Sequence, residues 1–297
     1  MNSNACFAFL APALSCVAAT PAVAQEVASS SDELAISPDK RSVDPDNLDR
    51  DTVTIGVGGV YMPSYEGSND YVLTPAGAMR GKVHGFKFFT RGTQLYVDAI
   101  PDPSGPSWDL QLGPVVSLNL NRTSNLVDPR IIALGTRKLA LEVGGYAGIR
   151  KTGVITSDHD FVSLRVAYVH DVSGVNNSYV ITPSIDYGTP LSRKIYVGVS
   201  VSADYAGTGY ARTYFDVDAA GSLASGLPEF TGRAGWRDVV VGVLGGYAVT
   251  GDLTHGLGLF VLASYSRLQN DFAASPVTSI AGSPDQLIGA IGLGYTF

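Results

Sequence analysis

Apolar side chains recur at every second position from residue 51 to the end of the chain, and this period of two constrains the fold more than any other feature. In the last segment, one face carries mostly large apolar residues: Leu287, Gly289, Ile291, Leu293, Tyr295 and Phe297. The other face carries mostly small ones: Ile288, Ala290, Gly292, Gly294 and Thr296. Because successive side chains of a β-strand point to opposite sides of a sheet, the pattern predicts many two-faced strands.

The chemistry of the two faces favours a barrel in a membrane. A wall between lipid and an enclosed interior needs large apolar side chains outside and small or polar ones inside. A soluble β-sandwich with one solvated face is the alternative, and it predicts more Lys, Glu and Thr on the second face than this chain carries. Charged residues make up only 16% of the chain, against about 25% in soluble domains. We therefore predict an all-β fold, a transmembrane antiparallel up-and-down β-barrel.

The number of strands follows from the repeats and their connections. We count about twelve strands, with ten or fourteen left open, because bacterial single-chain barrels have even numbers. The count includes predicted strands near residues 71–82, 86–97 and 210–217. Tight connections such as 188–192 alternate with long ones such as 207–235, which is typical of outer-membrane barrels. Aromatic residues often end the apolar face, as expected at a water–hydrocarbon boundary.

The N-terminal segment has the features of an export signal. Residues 6–19 are apolar but too short to cross a bilayer, and Ala22 and Ala24 form an A-x-A cleavage pattern. We predict a signal peptide over residues 1–24, a disordered acidic periplasmic lead-in over 25–50, and a barrel over 51–297. A lipoprotein attached through Cys16 is the alternative. Cleavage after Ala24 removes both cysteines of the chain, so we expect neither disulfides nor thiolate chemistry.

The C-terminus predicts assembly in the outer membrane. Leu293, Tyr295 and Phe297 place apolar or aromatic residues at alternate positions up to the last residue. A terminal strand of this kind offers an edge for strand addition by the barrel assembly machinery. We interpret these three residues as a C-terminal assembly signal.

Motifs for catalysis or cofactor binding are absent from the sequence. His159 lies between two aspartates, where it could bind a metal or act as a base, but a solvated turn is the preferred interpretation. The other histidines are His84, His170 and His255. With a net charge of −7, the chain is not basic enough to suggest nucleic acid. We predict no enzyme, no cofactor and no metal site.

Several polar residues fall on the small-residue face of the predicted strands. They are Asp109, Gln111, Asn119, Glu142, Arg165, Asp186 and Asp204. On this face they would point into the lumen, where charges are either paired with each other or hydrated. A barrel plugged by ion pairs and a selective channel both fit this set.

Several stretches together resemble the MipA/OmpV family of outer-membrane proteins. They are the segments 56–68 (GVGGVYMPSYEGS), 210–216 (YARTYFD), 224–230 (ASGLPEF), 235–238 (GWRD), 267–271 (RLQND), 275–277 (SPV), 282–283 (GS) and 294–297 (GYTF). Residues 271–274 depart from the acid-rich version usual in the family. The resemblance covers about residues 51–297.

The resemblance implies a location in the cell outer membrane, in contact with its lipid. It also implies a scaffold, since some members of the family join a lytic transglycosylase of peptidoglycan to a penicillin-binding protein. Other members are known as porin-like surface proteins, so a passive channel for small polar solutes is the alternative.

Overall fold

The computed structural model describes residues 8–9, 51–84, 86–101 and 107–297. The described residues form one antiparallel sheet of twelve strands that follow the chain order and close on themselves. Pairing of the last strand with the first, from Gly289 opposite Tyr61 to Thr296 opposite Thr54, completes the closure. The predicted all-β barrel of about twelve strands is therefore confirmed. Apart from residues 8 and 9, the predicted signal peptide and lead-in lie outside the described residues.

The strands are mostly long enough to cross a hydrocarbon layer when tilted. They span Thr52–Pro63 (β1), Tyr71–Val83 (β2), Phe86–Arg91 (β3), Gln94–Val97 (β4), Trp108–Asn119 (β5), Ala140–Thr152 (β6), Phe161–Asp171 (β7), Tyr179–Pro190 (β8), Ile195–Ala206 (β9), Gly235–Ala248 (β10), Gly256–Leu268 (β11) and Asp285–Thr296 (β12). A two-residue strand, Ala8–Phe9, also pairs in parallel with Ala76 and Gly77 of β2.

Alternation along each strand separates an apolar exterior from an interior of small and polar groups. In β12, Leu287, Ile291 and Leu293 are exposed, whereas Ala290 and Gly292 between them are buried. Strands β7 and β10 repeat this arrangement, with exposed apolar residues between buried ones. The barrel thus presents an apolar outer surface, which in water would be unfavourable over so large an area.

Two of the predicted strands are wrong in detail. Residues 86–97 form two short strands, β3 and β4, because Gly92 adopts a positive φ of 60° and lets the chain reverse in a tight turn. Residues 210–217 fall largely in a helix, Thr208–Phe215 (α2), whose buried positions Tyr210, Ala211 and Tyr214 follow a helical period. One strand gained and one lost leave the total at twelve.

The connections differ strongly between the two ends of the barrel. One end carries the segments 64–70, 120–139, 207–234 and 269–284, and we call these four segments the loop cap. The cap contains all five helices of the described residues: Pro129–Ala133 (α1), α2, Ala219–Ser225 (α3), Asn270–Ala274 (α4) and Pro276–Ser279 (α5). None of these helices is long and apolar enough to span a membrane.

The opposite end is simpler. It carries the connections 153–160, 191–194 and 249–255 together with the chain end that follows β12. We call it the terminal end.

The loop cap has a hydrophobic core of its own, formed by Tyr65, Ile131, Val217, Leu227, Val277 and Ala281. The Tyr65 hydroxyl donates to the carbonyl oxygens of Val277 at 3.1 Å and Ala281 at 3.0 Å. Fully buried Arg122 donates from its guanidinium to the carbonyl oxygens of Tyr214 at 2.9 Å and Gly135 at 3.1 Å. Burial lowers the pKa of Arg122 to about 10, so the group still carries its charge at neutral pH. The cap is therefore a packed lid.

A charge placed at the middle of the outer face tests whether lipid covers it. Val261 lies near the centre of β11 and is 47% exposed. If the outer face is buried in lipid, Val261→Arg lowers the free energy of unfolding by about 2–4 kcal/mol, measured by urea titration in lipid vesicles. Val127→Arg, in the loop cap at a similar 49% exposure, is the control and leaves the urea midpoint unchanged. Equal effects of the two substitutions would contradict a membrane-embedded wall.

Candidate functional site

A cavity of about 450 Å³ lies inside the barrel under the loop cap. Tyr65, Glu66 and Tyr210 of the cap line it from one side, and residues of the barrel wall such as Val60 and Leu244 line it from the other. Leu244 also lines a second cavity of about 120 Å³, together with residues at the terminal end. The interior of the barrel is therefore partly filled and partly open.

One arginine connects the barrel wall to the loop cap at the edge of the larger cavity. Arg237 of β10 pairs with Glu66 of the cap at 3.2 Å and with the adjacent Asp238 at 3.0 Å, and it also pairs with Asp204 of β9. Its guanidinium donates a further hydrogen bond to the Tyr210 hydroxyl at 2.8 Å. We call Glu66, Asp204, Tyr210, Arg237 and Asp238 the clasp.

A β-bulge turns Arg237 toward the interior. The pairing of β9 with β10 passes from Asp204 opposite Asp238 to Tyr205 opposite Trp236, so Arg237 is an extra residue with no direct partner on β9. Strict alternation would place Arg237 on the outer face with Val239. A bulge of this kind changes the direction of a side chain, and it puts Arg237 and Asp238 on the same side of the wall.

Glu66 is the part of the clasp that belongs to the loop cap. The Tyr210 hydroxyl donates to Glu66 Oε2 at 2.7 Å, and the Asn121 amide donates to the same oxygen at 3.0 Å. Burial raises the pKa of Tyr210 well above its usual value, so the hydroxyl remains a neutral donor. The clasp thus ties two connections of the cap to strands β9 and β10.

The polar residues predicted to face the lumen divide into two groups. Asn119, Glu142 and Asp204 line the larger cavity, and the Asn119 amide donates to Glu142 Oε1 at 3.0 Å. The remaining four are buried on the inner faces of β5, β7 and β8: Asp109, Gln111, Arg165 and Asp186.

The second group is packed by ion pairs and aromatic rings. Arg165 pairs with Asp186 at 2.5 Å, and Arg91 approaches the same carboxylate at 3.4 Å. The Arg165 guanidinium also lies over the Phe89 ring, 4.9 Å from its centroid. Gln111 accepts from the Ser163 hydroxyl at 3.0 Å. This part of the lumen is filled by side chains.

Several residues of the site were absent from the sequence prediction. Glu66 and Tyr210 lie in connections, where no strand alternation marks a direction. Arg237 is in a strand, but the bulge reverses its direction. Asp238 is an even-numbered residue of β10, like the buried Leu244, so alternation along this strand could have identified it as facing the interior.

Metal-binding chemistry has no support in the described residues. No three or more His, Cys, Asp or Glu side chains among them are grouped to hold a metal ion. His159 lies in the connection 153–160, while His170 contacts the carbonyl oxygen of Asp171 through Nδ1 at 2.9 Å. Leu293, Tyr295 and Phe297, interpreted as an assembly signal, are exposed on the outer face.

Comparison with known proteins gives one family. The family described as MltA-interacting protein MipA matches residues 55–297 of the chain. Among curated proteins, none matches.

The chain also has weak likenesses to solved structures. OmpT of Vibrio cholerae is 8% identical, with 84% of this chain and 97% of that chain covered and a TM-score of 0.34. A FadL homologue of Pseudomonas aeruginosa is 11% identical, with 86% and 93% covered and a TM-score of 0.29. OccAB1 of Acinetobacter baumannii is 9% identical, with 83% and 96% covered and a TM-score of 0.29.

Removal of the central cation tests the clasp. Arg237→Gln leaves three neighbouring carboxylates without their cation, so we expect the free energy of unfolding to fall by about 3–5 kcal/mol in urea titrations. Arg267→Gln is the matched control, because Arg267 pairs with Asp285 at an exposed position, and it leaves the urea midpoint unchanged. A stable Arg237→Gln barrel with an unchanged midpoint would show that the clasp does not hold the cap.

Proposed function

The chain belongs to the family of the MltA-interacting protein MipA, and from this we propose that it is a non-enzymatic outer-membrane barrel that acts as a scaffold for peptidoglycan-remodelling enzymes. The single structural observation that carries the scaffold role is a rigid loop at the terminal end that presents apolar side chains to solvent. A lytic transglycosylase and a penicillin-binding protein are the proposed partners.

The outer surface supports the placement in a membrane. Aromatic pairs lie at both ends of the wall: Tyr61 with Tyr71 at the cap end, and Tyr295 with Phe297 at the terminal end, with ring centroids 5.0 Å and 4.8 Å apart. Such rings suit the boundary between hydrocarbon and water. Outer-membrane barrels have short periplasmic turns and long extracellular loops, which assigns the loop cap to the outside and the terminal end to the periplasm.

A buried carboxylate holds the connection between β6 and β7 in one conformation. Asp160 accepts hydrogen bonds from the backbone N–H groups of Val154 at 2.6 Å, Ile155 at 2.8 Å and Thr156 at 2.6 Å. The Tyr187 hydroxyl donates to the same carboxylate at 3.1 Å. We call residues 153–160 the terminal loop.

Ionisation keeps the terminal loop in this conformation at neutral pH. Burial alone would raise the pKa of Asp160, but the backbone hydrogen bonds outweigh it and lower the pKa to about 2. Because the folded pKa lies below that of a free aspartate, this stabilisation is complete above roughly pH 4 and is lost only as the pH falls toward 2.

The terminal loop offers a preformed surface to a periplasmic partner. Val154 is 43% exposed and Ile155 is 71% exposed. Apolar side chains on a rigid loop lose little conformational entropy on binding, so they are effective anchors in protein interfaces. We therefore assign the docking of the proposed enzyme partners to this loop.

A charge on the terminal loop tests the scaffold. Ile155→Asp should weaken binding of a purified lytic transglycosylase of the MltA type by about thirtyfold or more, the effect of losing a central apolar anchor, measured with immobilised barrel in detergent. Ile132→Asp is the control, since Ile132 is 53% exposed in the loop cap at the opposite end, and it binds normally. Failure of the unaltered barrel to bind either a transglycosylase or a penicillin-binding protein would reject the scaffold.

A passive channel for small polar solutes is the second candidate. The observation in its favour is that one side chain, that of Leu244, lines both cavities. The loop cap opposes it, because Tyr210, Tyr214 and Phe215 of α2 are buried and pack against inner-wall residues such as Val115 and Val169.

Planar-bilayer recording distinguishes the two candidates. We expect the unaltered barrel to give no conductance steps, because the loop cap packs against the inner wall. Tyr210→Ala combined with Tyr214→Ala removes two buried rings of the cap, so steps should appear. Conductance from the unaltered protein would favour the channel.

A further inference from the structure

The lining of the larger cavity contains more carboxyl groups than guanidinium groups. It includes four carboxylates, those of Glu66, Glu142, Asp204 and Asp238. Only two guanidinium groups, those of Arg91 and Arg237, line the same space. An excess of acidic groups in a cleft of this kind attracts cations.

Asp238 has an acceptor oxygen that none of the described residues uses. Its side chain is 9% exposed, and Oδ2 accepts from the Arg237 guanidinium at 3.0 Å. The other oxygen, Oδ1, is buried and accepts no hydrogen bond from the described residues. Buried carboxylate oxygens normally have partners, and an unused one beside a cavity points to a donor that enters the cavity.

The remaining wall of the cavity is apolar. Val60, Met62, Leu244, Leu262 and Ile288 line it and pack against one another as a cluster on the inner faces of β1, β10, β11 and β12. Serine hydroxyls such as that of Ser264 lie among them. A ligand that fills this space therefore needs an apolar body as well as a cationic donor.

We infer that the cavity binds a small organic cation, an amine with a compact apolar body, whose ammonium group pairs with the carboxylate of Asp238 while its body packs against Leu244, Leu262 and Ile288. The volume of about 450 Å³ lies within the range of small-molecule sites, roughly 300–1,000 Å³. The site lies at the opposite end of the barrel from the terminal loop, so it does not depend on the scaffold role.

Three probes with the same body and different charge test this inference. Phenethylamine, 2-phenylethanol and phenylacetate are titrated separately into the full-length barrel in lipid nanodiscs, with binding followed by saturation-transfer NMR. We expect the amine to bind about tenfold or more tightly than the alcohol, since it pairs with buried carboxylates, and we expect no binding of the carboxylate. Equal binding of amine and alcohol, or none by the amine, would overturn the inference.

Substitutions of residues that line the cavity test where the amine binds. Asp238→Asn and Glu142→Gln each keep the shape of the side chain and should weaken amine binding by about tenfold. Asp158→Asn, at an exposed position of the terminal loop, is the matched control and leaves binding unchanged. Normal amine binding by both cavity variants would place the amine elsewhere and overturn the assignment.

A lysine introduced into the cavity by substitution gives a test that does not depend on removing a carboxylate. Ser264→Lys places an ammonium group inside the cavity, where it should occupy the position of the ligand. We expect this variant to fold, to resist urea at least as well as the unaltered barrel, and to bind no phenethylamine. Undiminished binding by the folded variant would overturn the inference.

Discussion

Closure of the sheet is the constraint on which the rest of the structure depends. A strand in hydrocarbon cannot leave its N–H and C=O groups unpaired, because no water is present to replace the missing partner. Pairing of β12 with β1 satisfies this requirement for the two ends of the sheet. The same closure divides every strand into an outer and an inner face, so each side chain must suit either lipid or the lumen.

Polar groups inside the lumen are stabilised in two different ways. On β5, β7 and β8, opposite charges and aromatic rings pack together, as in the pair of Arg165 with Asp186. Near β9 and β10, one guanidinium serves three carboxylates and the cavity beside it remains open. Burying charge is costly unless it is paired, so the filled region gives rigidity and the open region retains capacity for a ligand.

The two ends of the molecule are built for different tasks, and the clasp belongs to one of them. It holds the loop cap over the lumen through Glu66 and Tyr210, which opposes free diffusion through the barrel. At the other end, Asp160 fixes the terminal loop independently of the cap. A cap held over the lumen and a rigid loop at the other end suit the proposed anchor for partners better than a route for solutes.

The alternation of residues along the chain was enough to predict the barrel, its approximate strand number and the inner or outer direction of most side chains. These features follow from a local rule, the alternation of side chains along a strand, which each segment carries in its own residues. Alternation failed where another local signal prevailed. The turn at Gly92 split one predicted strand, and the helical spacing of Tyr210 and Tyr214 replaced another.

The residues that meet at the site could be identified only from the folded structure. Arg237 turns inward because a bulge interrupts its pairing with β9, and Glu66 meets it because the loop cap folds back over the barrel. Both depend on contacts between segments far apart in the chain. The period of two describes one strand at a time and holds no information about which connections fold over the lumen or where a strand gains an extra residue.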